Sequence, residues 1–145
     1  MKDRILHLAI DIGASSGRHI LGYLENGEIK TKEVYRFPNG VKNVDGHLTW
    51  DISSLLSEVK KGIDVALSLY PIKSLSIDTW GVDYVPLNGD KPIEPVYAYR
   101  DHRTEEVIEI VHSIMPFKEL YKRTGVQFQS FNTIYQLYWD GINGR

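Results

Sequence analysis

Hydrophobic and polar positions change period several times along the chain, and each change marks an element. Residues 5–10, ILHLAI, are nearly continuously apolar, the pattern of a strand buried on both faces. After a small-residue loop, HILGYL at 19–24 resumes a strand. Asn26-Gly27 then signals a tight hairpin, because both central positions of a type I′ turn need positive φ, and a third strand runs from about Ile29 to Phe37. Three strands joined by tight connections predict an antiparallel meander. Asp45-Gly46, between VKNV and HLTW, predicts a smaller hairpin beside it.

From Asp51 the period becomes helical: Ile52, Leu55, Leu56, Val59, Ile63, Ala66, Leu67 and Tyr70 recur at three and four, until Pro71 stops the run. Asp51 is the predicted cap. Alternation then returns through Leu75 and Ile77 and ends at Asp78, so a buried strand follows the helix as a crossover onto the meander. VDYVPL at 82–87 and PVYAYR at 95–100 flank Asn88-Gly89 and predict a second hairpin. Residues 101–115 read as a helix through Val107, Ile110, Val111 and Ile114, with Asp101 as cap and Pro116 after it. Phe117–Thr124 predicts a short helix ended by Gly125, and a last helix begins near Asn132 with Ile134, Leu137 and Tyr138 turned inward. A three-strand meander, a crossover helix and a fourth strand open the ribonuclease H-like, actin-like ATPase topology, an α/β fold with a mixed sheet.

Composition narrows the chemistry. A chain of 145 residues, 42% hydrophobic, buries roughly 68–70% of its unfolded surface, enough for one ordinary core. Its formal net charge of -2 provides no field to recruit nucleic acid or an anionic membrane, so any anion site is local. The absence of cysteine excludes disulfides, zinc–thiolate sites and a cysteine nucleophile. No stretch resembles a signal peptide or approaches the ~20 apolar residues of a membrane span, and a cytoplasmic protein is expected.

Candidate chemistry starts where the first strand stops on a carboxylate, in LAIDIGASSGR at 8–18. Arg18 precedes a strand, not a helix, so neither a Walker loop nor a dinucleotide fingerprint fits. The turn Gly13, Ala14, Ser15, Ser16, Gly17 presents small residues, two hydroxyls and successive backbone amides, which suit a phosphate. Asp11 would repel that phosphate unless Mg²⁺ lay between, since this ion takes one or two carboxylates plus phosphate oxygens. A hairpin turn with Asp11 capping its own loop is the structural alternative. SIDTWGVDY at 76–84 places a second strand end, Asp78, ahead of Trp80, Gly81 and Asp83. Two strands ending in carboxylates suggest one crevice beyond the sheet, and an indole beside a carboxylate suits a polyol. The alternative places Trp80 in the core and Asp83 at a hairpin start. Arg100, Asp101 and Arg103 fit a solvated helix start, with the arginines pairing to Glu105 or Glu106, as well as they fit a pocket rim. The five histidines show no ligand spacing and read as packed or surface residues.

Together, DIGASSGR, TWD at 49–51, IDTWGVDY at 77–84, AYRDHRT at 98–104 and TGVQFQSFNTIYQL at 124–137 resemble the N-terminal part of the FGGY carbohydrate kinases, over essentially the whole chain. Within that family the resemblance is to the branch that phosphorylates L-rhamnulose, with xylulose and fuculose as neighbouring substrates. It implies two actin-like domains around a cleft, ATP and Mg²⁺ as cofactors, and a ketose as acceptor. By motif it places Asp11 at the metal and Gly13, Ala14, Ser15, Ser16, Gly17 and Arg18 at the nucleotide phosphates. Trp80, Gly81, Asp83, Arg100, Phe131 and Asn132 fall at the sugar. Many relatives outside that branch carry threonine at Ala14, and glycerol-type relatives place an Arg-Glu pair at Gly81-Val82, which argues against glycerol. The same resemblance puts the general base and the adenine pocket beyond Arg145, so the chain is expected to be a fragment that does not catalyse alone. Two other classes remain: a two-metal nuclease using Asp11, Asp78 and Asp83, for which the loop glycines are surplus, and a non-catalytic nucleotide-binding module.

Overall fold

The computed structural model describes residues 5–145, with strands β1 (Leu6–Ile12), β2 (Ser16–Glu25), β3 (Glu28–Pro38), β4 (Lys42–Val44), β5 (His47–Trp50), β6 (Ile72–Thr79), β7 (Leu87–Asn88), β8 (Lys91–Pro92) and β9 (Val96–Tyr97). The helices are α1 (Ile52–Leu69), α2 (Ile108–Ile114), α3 (Phe117–Thr124) and α4 (Thr133–Ile142), with a 3₁₀ segment over His102–Val107. Two compact units divide the chain: 1–40 with 51–81, and 41–50 with 82–145. Among the described residues no helix is long and apolar enough to cross a membrane.

The first unit holds a four-stranded sheet in the order β3-β2-β1-β6, with β1–β3 antiparallel and β6 parallel to β1. The expected meander and crossover are present. Asn26 and Gly27 take φ of 54° and 81°, the positive values that this turn requires. α1 begins as its pattern predicts: Asp51 accepts a hydrogen bond from the Ser54 amide at 2.8 Å, a cap worth about 1 kcal/mol. Its buried residues Val59 and Ala66 pack with Leu6, Leu8, Ile10, Ile12, Leu21 and Phe37.

Several expectations need correction. β1 is not buried on both faces. Leu6, Leu8, Ile10 and Ile12 are buried while His7 and Ala9 are exposed and Asp11 is partly so, because helix packs on one face only. β6 is an edge strand, exposed from Lys73 to Thr79, with Leu75 and Ile77 half open. Leu56 and Leu67 of α1 also face outward; the stripe read from sequence was wider than the surface available to cover it.

The second unit holds the sheet β4-β5-β9 and the β7-β8 ribbon. The Asp45-Gly46 hairpin forms, with φ of 52° and 87°, but it pairs with β9 and not with the meander. The Asn88-Gly89 hairpin is shorter than expected: Leu87 pairs with Pro92, while Val96 and Tyr97 pair with Trp50 and Thr49. A hairpin signal fixes the turn and not how far its strands stay together. The 101–115 helix is broken into the 3₁₀ segment and α2. α3 ends at Gly125 with φ 67°, the left-handed cap that glycine adopts readily. In α4 the buried residues are Tyr135, Gln136 and Asp140, while Ile134 and Leu137 are exposed. Tyr138 packs against the Val107, Val111 and Tyr135 cluster as expected, but the rest of the inward face is taken by Gln136 and Asp140, whose polar contacts hydrophobic periodicity does not register.

Candidate active site

In the first unit, charge collects at one end of the sheet, on the face opposite α1. Arg36, Arg18, Asp11 and Asp78 are successive cross-strand partners on β3, β2, β1 and β6. Side chains alternate faces along a strand, so such partners share one face. Asp11 and Asp78 thus end two adjacent parallel strands side by side, as the crevice reading expected. Arg18 ion-pairs with Asp11 Oδ2. The strand pairing brings the guanidinium to the carboxylate. Both side chains are about two-fifths exposed, where an ion pair contributes little to stability.

The loop is tighter than DIGASSG suggests. Gly13, Ala14 and Ser15 form the turn, and β2 already begins at Ser16. The Gly13 amide donates to Ser16 O at 2.9 Å, so it closes the turn and is not offered to an anion. Asn39 fixes the outside, donating from its amide to Ser15 O (3.1 Å) and from Nδ2 to Gly13 O (2.9 Å). Ala14 and Ser15 are exposed, and Arg36 Nη1 lies 3.4 Å from Ser16 Oγ while Nη2 pairs with Glu33. Gly17 has a packing reason: a Cβ there would lie 2.0 Å from the Phe37 ring. Arg36 and Asn39 were missed because neither stands in a motif; the β2–β3 register delivers them. Trp80 packs partly buried against the aliphatic cluster, and Gly81 is exposed with open space at its Cβ position.

In the second unit, Asp83 Oδ2 accepts from the Trp50 indole N–H at 2.8 Å. Val82 has φ 80°, uncommon for a β-branched residue and a strain of about 1–3 kcal/mol. Gln136 Nε2 lies 3.4 Å from the Val82 carbonyl and donates to Phe131 O at 2.9 Å. Gln136 Oε1 in turn accepts from Arg103 Nη2 at 2.9 Å. Arg103 does not pair with Glu105 or Glu106; it is buried, donates to Ala98 O and lies over the Tyr97 ring. Arg100 is exposed, its guanidinium against Tyr99, and Phe131 meets Tyr99 edge-on at 5.3 Å. Asn132 lines a cavity of about 420 Å³ with Val82, Leu120, Thr124, Val126, Thr133 and Ile134. Burial would push the Asp101 carboxyl up, but bonds from the Leu48 amide, His47 and the Arg103 amide outweigh it and hold it below the usual range. Gln136 and Arg103 are the residues whose roles the sequence concealed: neither periodicity nor charge spacing predicts a buried pair 33 positions apart.

Comparison with known proteins decides the family. Residues 6–142 match the model of the FGGY family of carbohydrate kinases, N-terminal domain. The chain belongs to the FGGY family of carbohydrate kinases. A rhamnulokinase of Lactiplantibacillus plantarum is 47% identical over 136 residues, 91% of this chain and 28% of the relative. A rhamnulokinase of Bacillus subtilis is 43% identical over 137 residues, 92% of this chain and 28% of the relative. This FGGY chain thus spans about 28% of the length of these relatives. Gluconate kinase from Lactobacillus acidophilus shares its fold with a TM-score of 0.75 at 17% identity, covering 96% of this chain and 28% of that structure. The ligand-bound xylulose kinase of that organism gives 0.72 at 18% identity, covering 94% and 28%. The meander, crossover and β6 of this FGGY chain are therefore those of the actin-like sugar kinases.

Proposed function

We propose that this chain is the N-terminal part of an ATP-dependent kinase that converts L-rhamnulose to L-rhamnulose 1-phosphate, with ADP as the other product. The observation that carries the reading is the pairing of Asp11 with Asp78 at the carboxyl ends of adjacent parallel strands, beside an exposed Ala14-Ser15 turn. Ligands of open α/β sheets sit beyond such strand ends. The similarity to rhamnulokinases at 43–47% identity supports L-rhamnulose as the substrate.

The residues fit magnesium: two neighbouring carboxylates on an open face, one of them oriented by Arg18, suit a hydrated ion bound by few protein oxygens. When bound, magnesium supplies charge neutralisation for the transferring phosphoryl group. Asp11 would hold the ion or its waters, and Arg18, the Ser15 and Ser16 hydroxyls and the Ala14 and Ser15 amides would donate to phosphate oxygens. Trp80, Gly81, Asp83, Arg100, Phe131 and Asn132 contribute to sugar recognition. The metal-dependent nuclease alternative has no support beyond the shared fold.

Coupled ADP release by the kinase that carries this chain, measured with L-rhamnulose, xylulose, fuculose and glycerol, tests the reading. L-rhamnulose is expected to give the highest kcat/KM; preference for glycerol overturns the assignment. Asp11→Asn should lower kcat by about 10–100-fold with a smaller change in sugar KM. An unchanged kcat removes Asp11 from the metal.

A further inference from the structure

The second unit brings together three residues whose side chains carry metal-binding atoms and which are dispersed in sequence. His47 lies at the start of β5, whereas Asp101 and His102 open the 3₁₀ segment. One ligand atom from each falls within 4.8 Å of the others. His47 Nδ1 is 3.1 Å from Asp101 Oδ1 and 3.2 Å from Oδ2, and His102 Nδ1 is 3.9 Å from Oδ2. The two imidazoles stack at 5.2 Å between centroids, with planes 2° apart. A cavity of about 430 Å³ opens on them, lined also by Arg103, Glu105, Glu106 and Trp139.

We propose that His47, Asp101 and His102 form a site for a divalent transition metal of the zinc class, a function additional to phosphoryl transfer and independent of it.

The spacing supports zinc. Ligand atoms about 2.0–2.2 Å from a tetrahedral ion lie about 3.4 Å from one another. The His47–Asp101 distance is already close to this. His102 stands further off, its Nδ1 3.9 Å from Asp101 Oδ2 and its ring parallel to that of His47, so it must swing out of the stack to turn a ring nitrogen toward the shared ion; its side chain is 64% exposed, which leaves room for that rotation. Imidazole nitrogens favour zinc, nickel or cobalt over magnesium, which prefers oxygen alone. The carboxylate is pre-oriented: Asp101 is fully buried and accepts from the Leu48 amide at 2.7 Å and the Arg103 amide at 3.0 Å. Such outer contacts fix ligating groups in known metal sites.

Charge is balanced in the same direction. Glu105 and Glu106 line the cavity with Arg103, whose Nη1 lies 3.8 Å from Asp101 Oδ1 and donates to Ala98 O while Nη2 donates to Gln136, so three carboxylates stand against one guanidinium. A dication compensates the excess. His47 now donates its Nδ1 proton to Asp101; ligation through Nδ1 places that proton on Nε2, so the ring binds neutral. The open cavity admits the ion and a fourth ligand from water.

The test uses tag-free, chelator-treated protein. Titration calorimetry with Zn²⁺ should give saturable one-to-one binding. In ¹⁵N spectra of the unaltered protein, Zn²⁺ should move the ring nitrogens of His47 and His102 and leave those of His7, His19 and His112 in place. His102→Ala, at an exposed position, should weaken Zn²⁺ binding by about tenfold or more, and His47→Gln likewise. Absence of saturable binding overturns the proposal. So do shifts that fall on His7 or His112 instead, or an affinity that His102→Ala leaves unchanged.

Discussion

The unit built on β1 buries leucine, isoleucine and phenylalanine against α1. The unit built on β5 and α4 buries Asp101, Arg103, Thr104, Gln136 and Asp140 beside Val107, Val111 and Tyr135. In the first, burial of apolar surface holds the sheet, a non-directional force that tolerates exchange of similar volumes. In the second, donors and acceptors must meet individually. Arg103 reaches Gln136 and Ala98 O, and Tyr84 donates to Asp140 at 2.6 Å. A buried polar group left without its partner costs far more than the net worth of the bond. The interior of the second unit is therefore the more specific and the more fragile to single changes.

That contrast can be broken most directly at its most buried charge. Arg103→Met removes the donor to Gln136 and leaves Asp101 without its nearby guanidinium, so unfolding by urea should show a loss of about 3–5 kcal/mol. A loss below about 1 kcal/mol would mean that apolar packing, not the polar network, holds this unit.

A smaller effect is expected where the first unit is tightest. Gly17→Ala drives a Cβ into the Phe37 ring and should cost about 1–3 kcal/mol. Phe37→Leu in the same chain should recover part of that loss, because the clash is steric. Additive losses in the double variant would place the cause in the backbone.

The smallest effects separate the units by pH. His19 is fully buried, its Nε2 donating to Val59 O at 3.0 Å, and burial lowers its pKa from 6.5 despite that bond. The unfolded chain then takes up the proton first. This contribution is complete above pH 6.5 and is lost as pH falls from there toward the lower folded value. Asp101, lowered from 3.8, loses its contribution only as pH falls below 3.8. Each slope is at most about 1.4 kcal/mol per pH unit. Stability curves of the parent and His19→Gln should diverge below pH 6.5 and run parallel above it; parallel curves throughout would remove His19 as the source.

Much of the first unit was legible. Asn26-Gly27 announced its turn, Asp51 its cap, and the Val59–Ala66 period its buried helix face, because each signal is local and physical. The candidate site was half legible: DIGASSGR located the turn and Asp11, but the opposition of Arg18 to Asp11 is a fact of register. In the second unit the signals misled wherever polarity replaced periodicity. Ile134 and Leu137 read as core and are exposed, while Gln136 and Asp140, polar residues that carry no periodic signal, are buried.

The sequence by itself determined the turns, caps, the spans of α1 and α3, the order meander–crossover–strand and the family, since all of these are encoded in neighbouring residues or in motifs kept in order. Only the tertiary structure decided which carboxylates stand side by side, which arginine is buried, and that His47 meets Asp101 and His102 from more than fifty positions away. The physical reason is that chain proximity dictates backbone conformation, whereas the partners of a directional, charged side chain are set by how strands and helices are brought together.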